Sequence, residues 1–242
     1  MKKIMINNQH DAEIIPFNEQ ESIVIASDNS GSIGRKPADD VVVDYELVSY
    51  YTFRVAYMEC RAAGGIPFSL VIHNFNDKEV WDELVKGIKR GRDELGLKNL
   101  KITGSTETNF KLSQSAMGYV MIGKKVDKMM SEIKLETARL AIIGLPLVGN
   151  EVIEQASEVA PLALFKELAD LEDVHLIRPI SSKGIEHEVN KQLSHHNITY
   201  RANLDAKKSS GPATCFMIVY DKKINQMIEE KAGHYLQMDT HL

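Results

Sequence analysis

VAYMECRAAGGIPFSLV, residues 55–71, is the stretch from which the rest of the chain is read. Its first half continues a helical pattern: Val48, Tyr51, Thr52, Val55, Glu59 and Ala62 recur at three- and four-residue spacing and fall on one face. Gly64-Gly65 closes that helix, because glycine takes the left-handed C-terminal conformation without steric penalty. Ile66–Ile72 then forms an apolar run of strand length.

The same punctuation continues in both directions. Upstream, Ser22–Ser27 (SIVIAS) reads as a strand running into the turn signal Asp-Asn-Ser-Gly, and Asp40–Val43 is a second short apolar run. Downstream, Asp77 is placed to cap a helix whose buried stripe is Val80, Leu84, Ile88 and Leu95, ended by Gly96. Leu100–Thr103 and Met117–Ile122 read as strands separated by the polar segment Gly104–Ser115. Lys124–Thr137 reads as a linker or short helix and marks a boundary between domains at 1–130 and 138–242. Beyond it come a strand at Arg139–Gly144, a helix at Gly149–Ala160 and another from Pro161. A strand at Val174–Ile177, a helix at Lys183–Leu193, a strand at Ala213–Tyr220 and a last helix capped by Asp221 complete the chain. The class is α/β or α+β in two lobes.

The 242 residues are 43% hydrophobic and 26% charged, an ordinary globular balance that needs no disulfide or metal staple. The net charge of −5 argues against a nucleic-acid partner, and the cluster Lys86, Lys89, Arg90 and Arg92 reads as a solvated helix face. Cys60 and Cys215 sit in apolar surroundings and form no Cys-x-x-Cys, which suits a reducing cytoplasm. The first residues have no apolar core of a signal peptide, and Leu140–Gly149 is too short to span a membrane. A soluble, cytoplasmic protein is expected.

Several motifs fail on inspection. Gly144-Leu-Pro-Leu-Val-Gly149 has phosphate-loop glycine spacing but is followed by Asn150 and Glu151 rather than Lys and Ser/Thr. Asp28-Asn-Ser30-Gly-Ser32 has its glycine misplaced for a calcium loop. His195-His196 has no third ligand nearby and reads as surface, and there is no Gly-x-Ser-x-Gly elbow. Three carboxylates stand out instead. Asp28 ends an apolar strand, Glu59 lies on the apolar stripe of its helix, and Glu107 follows another strand. Inward carboxylates need compensation, from Arg54 and Arg61 by salt bridging or from a hard cation such as magnesium.

The blocks ASDNSGSIG (26–34), VAYMECRAAGGIPFSLV (55–71), ITGSTETNF (102–110) and AMGYVMIG (116–123) resemble the aminoimidazole ribonucleotide (AIR) synthase-related superfamily. Its members include thiamine monophosphate kinase, selenophosphate synthase and the hydrogenase-maturation dehydratase. The blocks GLPLVGNEV (144–152), PISSKGIEHE (179–188) and KSSGPATC (208–215) look most like the α-ribazole kinase family within it. The resemblance implies a two-domain AIR synthase-like fold whose N-terminal sheet closes a barrel across a homodimer. The implied activity is transfer of the ATP γ-phosphate, with Mg2+, to the 5′-hydroxyl of α-ribazole, a step of cobalamin salvage. Asp28, Glu59 and Glu107 would be metal ligands, and Asn29, Ser30, Gly31, Gly104, Ser105 and Thr106 would contact the nucleotide. Lys183, together with Asp28, would be catalytic, and Ser182, Gly184, Ser210 and Gly211 would face the substrate; helix capping and a turn explain the C-terminal residues equally well. Glu59-Cys60 stands where relatives often carry Asn-Asp, and the glycine-rich N-terminal segment of other members is missing. A thiamine monophosphate kinase-like enzyme and a nucleotide-binding regulatory relative without turnover are the alternatives.

Overall fold

The computed structural model describes residues 9–126, 135–193, 200 and 204–242. The chain divides into two compact units, Asp11–Asp127 and a second that combines Met1–His10 with Lys128–Leu242. Gln192 Nε2 donates to the Gln9 carbonyl (2.9 Å), which ties the start of the chain to the second unit.

The first unit runs β1 (Glu13–Pro16), β2 (Glu21–Gly31), β3 (Ile33–Gly34), β4 (Val41–Val42), α1 (Tyr45–Ala62), β5 (Ile66–Asn74), α2 (Trp81–Leu95), β6 (Lys101–Thr106) and β7 (Ala116–Val126). Its sheet has the order β1-β2-β7-β5-β6 and is antiparallel except between β5 and β6. One face carries Val24, Ala26, Leu70, Ile72, Tyr119 and Met121, all buried, and α1 packs on it. The paired residues of the other face, among them Ile25 with Ile122 and Val120 with Val71, are only partly buried, and Ile66 is 64% exposed.

The helix–strand junction forms as the sequence predicts, with a different job for each glycine. Gly64 is left-handed (φ 85°) and ends α1. Gly65 is needed for packing, since a Cβ there would stand 2.8 Å from Cys60 Sγ and 3.0 Å from Val24 Cβ. Gly87 and Gly91 do the same for the helix pair: a Cβ on Gly91 would meet the Phe53 ring at 2.4 Å, so α2 lies close on α1.

The second unit runs β8 (Ala138–Ile143), α3 (Glu151–Glu154), α4 (Leu162–Ala169), β9 (Val174–Pro179), α5 (Gly184–Gln192), β10 (Phe216–Asp221), α6 (Asn225–Ala232) and β11 (Leu236–His241). Its antiparallel sheet is ordered β11-β8-β10-β9. Phe216 to Tyr220 of β10 are all fully buried. Met217 and Val219 pack with Ile185 and Val189 of α5, while Phe216 meets the Phe165 ring of α4 edge-on at 5.1 Å.

Several boundaries differ from expectation. The helix expected over 149–160 is one turn, α3, followed by a separate tight turn at Ala156–Glu158, because Gln155 leaves helical geometry between them (φ −117°, ψ 37°). The strand expected from Ala213 starts at Phe216, because Ala213 is left-handed (φ 53°) and belongs to a turn. The strands expected to stop at Ser27 and Thr103 continue to Gly31 and Thr106. β7 continues to Val126, residues 135–137 form a helical turn, and the rest of the expected linker, like His195-His196, lies outside the described residues. No helix among the described residues is long and apolar enough to cross a membrane.

Candidate functional site

Asp28 sits inside β2, not beyond its end, opposite Tyr119 of β7. The strand persists because Ser27–Gly31, polar as it is, finds a full set of backbone partners in Ala116–Val120. On the other side β1 covers only Ser22–Ile25, so among the described residues Ala26–Gly31 is an open strand edge. Asp28 shares the helix-facing side of β2 with Val24 and Ala26, and burial pushes its carboxyl up to about 7. The one opposing influence is the backbone N–H of Asn29. Two residues on, Ser30 Oγ is buried on the same side with no hydrogen-bond partner among the described residues. A desolvated carboxylate and an unpartnered hydroxyl on one side of a strand are hard oxygen donors of the kind a cation or phosphate-bearing ligand uses. Asn29 and Gly31 are exposed.

Gly104, Ser105 and Thr106, expected in a polar segment after the strand, form the second half of β6 and run parallel to Ile72, His73 and Asn74. Gly104 is bare because a Cβ would strike the Ile72 carbonyl at 2.2 Å. Thr106 Oγ1 accepts from Asn74 Nδ2 (3.2 Å), part of a buried network in which Asn76 also bonds Asn74 and Ala116. β6 is the sheet's other edge. With Lys78, Glu79, Trp81, Asp82 and Thr108, its last three residues line a cavity of about 500 Å3. Glu107 follows at once; its Oε1 accepts the backbone N–H groups of Asn109 (2.5 Å) and Phe110 (3.3 Å).

The two segments, Asp28–Gly31 and Gly104–Thr106, occupy matching rows of one sheet. Asp28, Tyr119, Ile72 and Gly104 form one row; Asn29, Gly118, His73 and Ser105 the next; Ser30, Met117, Asn74 and Thr106 a third. Three strand spacings separate Asp28 from Gly104, about 14 Å. Glu59 is half-buried near the end of α1; its neighbour Cys60 packs on Gly123, which pairs with Val24, four residues and about 13 Å along β2 from Asp28. Within one chain the three carboxylates stand apart, and among the described residues no three His, Cys, Asp or Glu side chains converge as a metal site. Of the two arginines considered as their partners, Arg54 is 1% exposed and its charge opposes the upward shift of the Tyr50 and Tyr51 hydroxyls, and Arg61 Nη1 donates to the Gly65 carbonyl (3.3 Å).

In the second unit the three C-terminal motifs meet. The backbone N–H groups of Gly184 and Ser210 both donate to the Ser181 carbonyl (3.1 and 3.2 Å). Thr214 Oγ1 donates to the Leu145 carbonyl (2.8 Å) and accepts from Leu147 N–H (2.9 Å). Lys208 Nζ pairs with Glu151 Oε1 (2.8 Å) and holds that carboxyl below the usual range. Ser182 and Lys183 are exposed at this junction. Ser210 is not: it is fully buried, and its hydroxyl is engaged with Thr214, Cys215 and the Cys215 N–H. Its side chain therefore holds the loop. Gly184 (φ 83°) has a packing reason too, since a Cβ would lie 2.8 Å from the Lys207 backbone, and Gly211 (φ 39°) turns beneath Leu147.

Sequence reasoning did not find Ser30's orphaned hydroxyl as distinct from its neighbours, nor the Trp81 cavity. The alternation Val24, Ala26, Asp28, Ser30 was the available signal for the first; the second depends on the parallel β5–β6 pairing.

No protein-family profile matches the chain, and no curated protein matches it by sequence. Solved structures do match. A complex of the thiamine monophosphate kinase AaThiL with AMPPCP and TMP is 11% identical with a TM-score of 0.57, covering 96% of this chain and 83% of that one. The hydrogenase maturation protein HypE in complex with ATP gives 11%, 0.54, 89% and 75%. Thermotoga maritima PurL complexed with AMPPCP gives 10%, 0.59, 95% and 41%. The chain has the AIR synthase-like fold, a mixed α/β architecture.

Proposed function

We propose that this protein is an ATP- and Mg2+-dependent small-molecule kinase that phosphorylates the 5′-hydroxyl of α-ribazole and works as a homodimer. The observation that carries the reading is the row-matched pair of open edges, Asp28–Gly31 on β2 and Gly104–Thr106 on β6, at opposite sides of one half-covered sheet. A sheet with an uncovered apolar face and two open edges wants a second copy. Barrel closure around a two-fold axis sets β6 of one copy beside β2 of the other, which removes the roughly 14 Å that separates these segments in one chain. The fold neighbours in complexes with ATP, AMPPCP and TMP support the nucleotide.

Magnesium fits the donors at Asp28. The ion takes one or two carboxylates, with substrate phosphates and water completing its shell, so a three-carboxylate cage in one chain is not required. Asp28 would hold it, with Ser30 Oγ alongside and Glu107 and Glu59 as further carboxylates; when bound it would neutralise charge on the transferring phosphoryl group. The backbone N–H groups of the two strand edges would orient the phosphates. Lys183, exposed at the junction of the three C-terminal motifs, would add positive charge, with Ser182 and the backbone of Gly184, Ser210 and Gly211 toward the acceptor. In the transfer the γ-phosphorus forms a bond to the 5′-oxygen, the bond to the β-phosphate bridging oxygen breaks, the hydroxyl proton is lost and ADP leaves.

The test is ADP release with α-ribazole, with and without Mg2+. Magnesium-dependent release supports the reading. The similarity to thiamine monophosphate kinase favours one other acceptor, and release with thiamine monophosphate but not α-ribazole would move the assignment there. Nucleotide binding with no release from either acceptor would make the chain a regulatory relative.

A further inference from the structure

The chain has one tryptophan, and it is not in a core: Trp81 opens α2 half-buried, in the wall of the 500 Å3 cavity beside β6. That volume lies within the range of small-molecule sites. The Gly104–Thr106 end of β6 lines the same cavity, with Ser105 exposed. Lys78, Glu79, Asp82 and Ser105 make no side-chain hydrogen bond or ion pair among the described residues, although the two carboxylates and the lysine border one cavity. An aromatic plate flanked by uncommitted donors and acceptors is the composition of a site for a flat ring with polar substituents.

We infer that this cavity seats the planar heteroaromatic ring of the phosphoryl acceptor, stacked on Trp81. Glu79 and Asp82 are placed to accept hydrogen bonds from the ring's substituents or from a sugar attached to it, and to favour a ring that carries positive charge. The inference rests on the kinase reading for the acceptor's role and adds where its ring binds; the sequence had placed acceptor contacts only in the second unit. Sharing Gly104, Ser105 and Thr106 with the phosphate-facing edge sets ring and phosphates on adjoining ground.

Because Trp81 is alone, tryptophan emission reports this cavity and nothing else. The full-length protein, without ATP, is titrated with α-ribazole (a neutral benzimidazole ring), thiamine (a cationic ring) and ribose. Saturable quenching by at least one heteroaromatic ligand, and none by ribose, is expected, and which ring quenches distinguishes a neutral from a cationic acceptor. By calorimetry Trp81→Ala weakens that ligand by roughly 5- to 150-fold, as loss of a stacking partner does, while Trp81→Phe stays within a few-fold. Quenching by neither ring, or equal binding by the Ala variant with an unchanged melting midpoint, overturns the inference. ADP release on the same preparation separates the two readings. Turnover without quenching removes the Trp81 site and leaves the kinase, whereas quenching without turnover from either acceptor does the reverse.

Discussion

The two sheets of this protein are built from similar apolar runs and end in opposite states. In the second unit β10 reads FMIVY and every residue is buried, because helices cover both faces of the sheet. In the first unit β2 reads SIVIAS and alternates: Val24 and Ala26 are buried under α1, while Ile23 and Ile25 are partly open. The first sheet also keeps two open edges, at Ala26–Gly31 and along β6, and both carry residues singled out for nucleotide binding. The central strand of the second sheet has neither face nor edge left to offer a partner or a ligand. The half-covered sheet has unused backbone donors, an unpaid apolar face and a desolvated acid in the same few rows.

The largest expected effect breaks this comparison directly. Ile218→Lys buries an unpaired charge in the middle of β10 and should prevent folding, read as loss of the cooperative melt, a cost of several kcal/mol. Val120→Lys, on the open face of β7, should leave a folded chain that no longer self-associates, read by sedimentation as a 27.2 kDa species where the wild type runs at twice that mass. A wild type that is itself 27.2 kDa at micromolar concentration would end the dimer reading.

The same contrast explains how far the sequence could be read. The long elements α1, α2, β5 and β7 were legible as elements, and the α2 stripe Val80, Leu84, Ile88 and Leu95 is the buried one. The face of α1 was not: Ser49, Phe53, Ala56 and Cys60 are buried, whereas Tyr51, Val55, Glu59 and Ala62 of the expected stripe are only partly so. β1 (EIIP) and β11 (LQMDTH) were not: four residues ending in proline, and a polar strand whose neighbours rather than its own residues make it a strand. The extension of β2 through Asp28–Gly31 was hidden for the same reason, since a polar stretch reads as a turn until its partner, Ala116–Val120, is known. Asp28 itself was legible as an acid following apolar alternation. The spacing of Glu59 and Glu107 from it was not, because distance across a sheet depends on strand order, here β2-β7-β5-β6, which no local pattern encodes.

The next effect sharpens the functional half of the comparison. Asp28→Asn keeps shape and removes the charge that would hold magnesium, so turnover should fall by about a hundredfold or more with the fold intact. The matched change in the covered unit, Asp239→Asn, breaks the 2.9 Å pair with Arg139 and should cost stability rather than activity. An active, magnesium-dependent Asp28→Asn enzyme would take Asp28 out of the site.

The smallest effect is a pH dependence, and its sign is fixed by burial. The Asp28 carboxyl titrates near 3.8 when the chain is unfolded and at about 7 in the folded protein, so between those values the folded state binds the extra proton. Stability therefore falls as pH rises through that window and levels off above about 7. Because Asp28 keeps some solvent contact, the loss attributable to it should be up to roughly 2 kcal/mol rather than the full shift. Other groups titrate over the same range, so the measurement is a difference: melting midpoints at pH 5.5 and 8 for the wild type and for Asp28→Asn. The wild type should lose more on going to pH 8, and the gap should close when millimolar Mg2+ restores an ionised carboxylate to favourable company. Equal losses in the two proteins would mean that Asp28 is already compensated, and that the open edge of β2 is not where the cation belongs.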